Sequence, residues 1–86
     1  MTTIWKYELE ITDRQEFKMP GIAEVLSAGL DPKGVPCVWA KVQPGSPELC
    51  VRLAIVGTGN PMVEATPWKF IGSFVHGPFV WHVFVV

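Results

Sequence analysis

Phe70 to Val86 (FIGSFVHGPFVWHVFVV) contains no Asp, Glu, Lys or Arg. Charge is scarce elsewhere too: 17% of the 86 residues are charged, against about 25% in an average soluble domain. With 49% hydrophobic residues, that excludes disorder. The formal net charge of -1 supplies no basic field for a phosphate backbone, which excludes duplex nucleic acid as the expected partner. Cys37 and Cys50 are the only cysteines, too few for a disulfide scaffold, and no Cys/His spacing fits a zinc site. Both are expected to be reduced, buried thiols. There are no repeats and no low-complexity tracts, and no cofactor or metal is expected. Lys6, Glu8 and Glu10 interrupt the opening MTTIWKYELEI, so no secretory peptide is read there. Gly77-Pro78 breaks the C-terminal apolar run, which also lacks a basic flank, so no membrane span is expected. A cytoplasmic location follows as the expectation.

What is there alternates with period two. Trp5, Tyr7, Leu9 and Ile11 point one way and Lys6, Glu8 and Glu10 the other, which describes a half-buried strand. A hairpin through Thr12-Asp13-Arg14 would place Gln15, Phe17 and Met19 on the same apolar face and set Glu8 opposite Lys18. Ala23 to Leu30 reads as a weaker strand before Asp31-Pro32-Lys33-Gly34, where Asp first, Pro second and Gly fourth suit a type I turn. That hairpin pairs Leu30 with Val35, Leu26 with Trp39, and Glu24 with Lys41. The loop Gln43 to Glu48 then returns the chain as Leu49 to Val56, setting Trp39 against Arg52 and creating a row of Leu26, Trp39 and Arg52. Gly57 to Lys69, with prolines at 61 and 67, reads as a long loop. A last hairpin around His76-Gly77-Pro78 places Phe70, Phe74, Trp81, Val83 and Val85 on one face and Ile71, Val75, Val80, Phe84 and Val86 on the other.

The expected architecture is a single all-β domain over residues 1–86. It is a small antiparallel sandwich or open barrel of about seven strands, mostly meander hairpins. A short chain buries only about 60% of its surface on folding, and a hairpin apolar on both sides needs cover on both. The surplus predicts a homo-oligomer.

Candidate chemistry is sparse. Val51 to Met62 (VRLAIVGTGNPM) imitates a dinucleotide-binding opening, but Met62 stands where a third glycine belongs and too little chain follows. Gly57, Thr58, Gly59 and Asn60 retain the ability to present successive N–H groups to an anion, although a plain glycine turn with no ligand is the favoured account of them. Ser73 falls opposite His82, yet no carboxylate orients the imidazole and no nucleophile elbow exposes the hydroxyl. A cross-strand hydrogen bond is the expected role of that pair, and no catalysis is expected. Trp39 with Arg52, and Trp68 with Lys69, combine an aromatic plate with a cation, which suits a stacked nucleobase and its phosphate, or an oligomer interface.

The segments Ile4–Gln15, Gly34–Ala40, Gly57–Pro61, Phe70–Phe74 and Trp81–Phe84 together resemble a family of short proteins encoded by bacteriophages and prophages. The resemblance covers nearly the whole chain and carries no functional residue with it. It implies a small all-β accessory protein made inside an infected bacterium, where proteins of this size commonly inhibit host defence by gripping a host protein or by sequestering a nucleotide signal in an oligomer. The resulting expectation is a non-enzymatic, homo-oligomeric protein that binds a small nucleotide-type ligand through Trp39, Arg52, Trp68, Lys69 and Gly57 to Asn60. The alternative is a protein-protein inhibitor or virion-associated interaction module that docks on a host protein through the Leu26, Trp39, Arg52 row.

Overall fold

The computed structural model describes residues 1–62 and 67–86. Part of the expected loop between Gly57 and Lys69 therefore lies outside the described residues. Seven strands are present: β1 (Thr3–Glu8), β2 (Arg14–Pro20), β3 (Glu24–Leu30), β4 (Pro36–Val42), β5 (Glu48–Gly57), β6 (Lys69–His76) and β7 (Phe79–Val85). They form two antiparallel sheets, a three-stranded one ordered β1-β4-β3 and a four-stranded one ordered β2-β5-β7-β6. The sheets pack as a small sandwich that does not close into a barrel.

Between the sheets lie Leu9, Met19, Val25, Val38, Ala40, Val42, Leu53, Ile55, Ile71, Phe74 and Val83, the inward set of the period-two pattern. Phe17 faces this core with Gln15 and Met19, as the alternation predicts, but by a different pairing. β1 runs beside β4 (Tyr7 opposite Val38) and β2 beside β5 (Phe17 opposite Val51), so the expected β1–β2 hairpin does not form. Glu8 lies opposite Cys37 and Lys18 opposite Cys50. The two apolar faces meet across the sandwich instead, where the Tyr7 and Phe17 rings pack edge to face at 5.6 Å. Alternation fixes which side of a strand is buried, and two such sides are satisfied as well by facing each other as by lying side by side.

The β3–β4 hairpin forms. Asp31 accepts from the Lys33 and Val35 amides through Oδ1 (2.8 and 2.9 Å), and its carbonyl accepts from Gly34 N–H (2.8 Å). Its Oδ2 receives the Lys6 ammonium at 2.8 Å, tying the turn to β1. Glu24 stands opposite Lys41 as expected, and the two side chains approach to 3.5 Å. A bulge at Leu26 then shifts the ladder by one, so that Ser27 opposes Trp39 and Leu30 opposes Pro36. β4 and β5 belong to different sheets, and Trp39 and Arg52 are not neighbours.

β6 and β7 pair as predicted from Gly72 to His76, including Ser73 opposite His82. A second irregularity between Phe70 and Gly72 places Phe70 opposite Phe84, out of the core and 56% exposed, where the regular register had grouped it with Phe74. At this point β6 runs against β3: a Cβ on Gly72 would fall 2.5 Å from the Ala28 carbonyl oxygen. Cys37 is a buried free thiol, whereas Cys50 is exposed on the outer face of the four-stranded sheet. There its Sγ donates to Glu16 Oε2 at 2.7 Å.

Candidate functional site

The outer face of the four-stranded sheet carries the most varied chemistry. In the register of β2, β5, β7 and β6, one transverse row reads Arg14, Ala54, Phe84, Phe70. Trp68, just before β6, tilts against Phe84 with ring centroids 5.7 Å apart, and Phe84 meets Phe70 edge to face at 5.6 Å. The Arg14 guanidinium lies over the Trp68 ring, its Cζ 5.0 Å from the centroid, within cation–π range. Thus the cation that serves Trp68 is Arg14, at the start of β2, and not its sequence neighbour Lys69. Reading Thr12-Asp13-Arg14 as a tight hairpin turn hid this role. The available signal was that Arg14 continues the outward parity of Glu16 and Lys18.

Beside this pair is a cleft of about 530 Å³ lined by Asp13, Arg14, Ile55, Val56, Asn60, Pro61 and Trp68. Among the described residues, the indole Nε1–H of Trp68 is buried without an acceptor. Arg14 also borders a second cleft of about 380 Å³, shared with Glu16, Arg52, Leu53 and Val86. Arg52 and Glu16 are opposite each other, with Nε to Oε2 at 3.5 Å. The Cys50 thiol, ahead of the Arg52 charge, lowers the Glu16 carboxyl below its ordinary value, and the same contact raises the Cys50 thiol.

The glycine segment is largely spent on itself. Asn60 N–H donates to Gly57 O (3.0 Å) and Gly59 takes φ 89°, the signature of a type II turn, while Thr58 N–H donates to Val80 O (3.1 Å). Two of the amides expected to cradle an anion are therefore already committed. Asn60 remains useful through its position in the cleft wall.

Of the residues selected from sequence, Asn60, Trp68 and Arg52 lie along this face, with Gly57, Thr58 and Gly59 in the turn at its end. Trp39 does not join them: it sits opposite Lys6 and Ser27 in the three-stranded sheet. Lys69 starts β6 and lines the open mouth of the sandwich beside Val85. The Leu26, Trp39, Arg52 row is broken by the separation of the sheets.

Ser73 Oγ lies 2.7 Å from His82 Nδ1, and Thr58 Oγ1 lies 2.8 Å from Nε2. Both ring nitrogens thus meet hydroxyls, joining β6, β7 and the turn after β5 across an exposed surface. Among the described residues no carboxylate is bonded to this imidazole; its two nitrogens meet only the Ser73 and Thr58 hydroxyls. Among the described residues, no group of three His, Cys, Asp or Glu side chains is placed to hold a metal, and no helix is long and apolar enough to cross a membrane.

Fold and face define a small antiparallel β-sandwich with a cation–aromatic cleft on its larger sheet. Residues 1–86 match the model of a family described as a domain of unknown function (DUF7352), and the chain belongs to that family. No curated protein and no solved structure matches it.

Proposed function

We propose that this is a non-enzymatic binding protein whose copies associate and which sequesters a small nucleotide-type ligand on the outer face of its four-stranded sheet. The observation that carries the reading is the Arg14 guanidinium stacked 5.0 Å over Trp68 at the border of two clefts. A planar base entering there exchanges with the guanidinium for the indole face, and Arg14, with Arg52 beyond it, turns to the phosphate. The Trp68 Nε1–H and the Asn60 amide supply directional contacts to the base or sugar. In the phage setting implied by the sequence resemblance, the ligand would be a defence signal in the host cytoplasm.

Self-association is supported by the surface itself. Phe70, Val75 and Val80 on the outer face of β6 and β7 are 56%, 57% and 39% exposed. Light scattering is expected to return a mass above that of one chain.

Calorimetric titration with cyclic dinucleotides, cyclic trinucleotides and ADP-ribose tests the ligand reading. Binding in the micromolar range is expected from at least one of them. Trp68→Ala should weaken it by roughly 5- to 150-fold, the value of about 1–3 kcal/mol for one stacked base. Absence of heat from all three classes overturns the reading. Leu26, bulged from β3 and 43% exposed on the sheet that carries Trp39, supports a second reading, docking on a host protein.

A further inference from the structure

β1 is an edge strand, bonded along one side only, to β4. In an antiparallel ladder alternate residues turn their backbone groups to opposite sides. Leu9 N–H donates to Pro36 O (2.9 Å), so in the β1–β4 register the odd residues of β1 exchange hydrogen bonds with β4. The N–H and C=O of Ile4, Lys6 and Glu8 turn to the other, lateral edge, where among the described residues they have no backbone partner. Glu10, the next even residue, is closed off: the Gln15 carboxamide bonds both its N–H (3.2 Å) and its C=O (2.7 Å). Ile4 and Trp5, on opposite faces of this edge, are 57% and 43% exposed.

An edge with free backbone groups and large apolar side chains on both faces is a template for another strand. We infer that its occupant is β1 of a second copy, paired antiparallel about a two-fold axis at Trp5, so that the two β1-β4-β3 sheets join into one. The seam rests on the self-association already proposed and gives it a place, away from the Phe70, Val75 and Val80 face. In this register Ile4 lies opposite Lys6 of the second copy and Glu8 opposite Thr2 of the second copy, and every free group of Ile4, Lys6 and Glu8 gains a partner. Trp5, which shares the inward parity of Tyr7 and Leu9, meets itself at the axis in a non-hydrogen-bonded pair, where side chains come closest. On the other face Ile4 packs on the aliphatic stem of Lys6, whose ammonium is drawn to Asp31 in the β3–β4 turn at 2.8 Å. Lys41, opposite Ile4 on β4, is already paired with Glu24 at 3.5 Å, so no charge meets its like directly across the seam. Neighbouring registers are worse. An axis at Lys6 sets that lysine against itself, and one at Tyr7 sets Ile4 against Glu10, whose backbone groups Gln15 occupies. Identical patches that complement each other about a two-fold axis make a closed dimer, which does not propagate into a fibre.

The test uses the full chain. Light scattering is expected to return the mass of an even number of chains. The Ile4 and Lys6 amides are expected to exchange hydrogen at least tenfold more slowly in the associated protein than after dilution to single chains, while the Trp5 and Tyr7 amides, bonded to β4, change little. Trp5→Lys and Trp5→Glu each set like charges against each other at the axis and should weaken association by roughly tenfold or more. Their equimolar mixture should regain it, because only an axis at residue 5 places that position opposite itself. Should these variants fail to fold, the amide measurement on the unaltered chain decides. A mass of one chain at every concentration overturns the seam and the self-association together. A larger mass with fast Ile4 and Lys6 amides, protection that persists in the single chain, or a mixture as dissociated as its two parts overturns the seam alone. None of these readouts depends on the nucleotide cleft.

Discussion

Gly72→Ala is the sharpest probe of how the two sheets are held together. Gly72 has φ 153°, a conformation L residues rarely adopt, and an added Cβ would fall 2.5 Å from Ala28 O, 3.0 Å from Ala28 N and 3.2 Å from Ala28 C. All three are backbone atoms of a strand already paired with β4, so no side-chain rotation relieves the overlap. Overpacking of this kind costs about 1–3 kcal/mol and the backbone conformation a similar amount, giving about 3 kcal/mol together after partial relaxation. For a chain of this length the melting temperature should fall by about 12–24 °C. Gly77→Ala is the control. Gly77 has φ 60° but nothing within 4 Å of its added Cβ, so only the backbone term of about 1 kcal/mol applies. Thermal unfolding followed by circular dichroism, with urea titration to check that the slope is unchanged, separates the two. A Gly72→Ala protein that melts no lower than Gly77→Ala would refute the idea that β3 and β6 meet backbone to backbone.

Two further substitutions test the core and the turn. Leu53→Ala empties a fully buried site at the centre of the four-stranded sheet and should cost about 3 kcal/mol by urea unfolding; a loss below about 1 kcal/mol would show that the sheets do not pack around it. Asp31 is held at about 2, first by the Lys6 ammonium and then by the Val35 and Lys33 amides, against an ordinary 3.8. A depressed carboxyl contributes fully above its unfolded value and loses that contribution as pH falls from about 4 through about 2. Asp31→Asn should therefore be less stable at pH 7 and lose less than the wild type on acidification, measured by urea midpoints from pH 6 to 2. Parallel acid profiles would count against the Lys6–Asp31 anchor.

Local features were readable because their causes are local. Asp31-Pro32-Lys33-Gly34 specifies its own turn, and that turn sets Glu24 against Lys41 before any tertiary contact is made. His76-Gly77-Pro78 does the same for the last hairpin, which is why Ser73 and His82 were placed opposite each other correctly. The bulges at Leu26 and before Gly72 were less legible. Nothing around Leu26 marks an extra residue, whereas Gly72 inside its strand is the kind of residue that marks a bulge or a close backbone approach, and its partner Ala28 lies on a strand that local pattern does not bring there.

The candidate face shows the same division. The sequence marks Trp68 as an aromatic plate, but its cationic partner comes from the start of β2, brought there because β2 pairs with β5, β5 with β7 and β7 with β6. Trp39 and Arg52 were joined by a hairpin that the chain does not make. The amino-acid order alone determined that strands form, which side of each is apolar, and where the tight turns fall, since backbone geometry and side-chain alternation act over a few residues. Which strand neighbours which, and so which charges and rings share a surface, was decided only when two apolar sheet faces had to cover one another, because burial rewards contact across the sandwich as readily as contact along the chain.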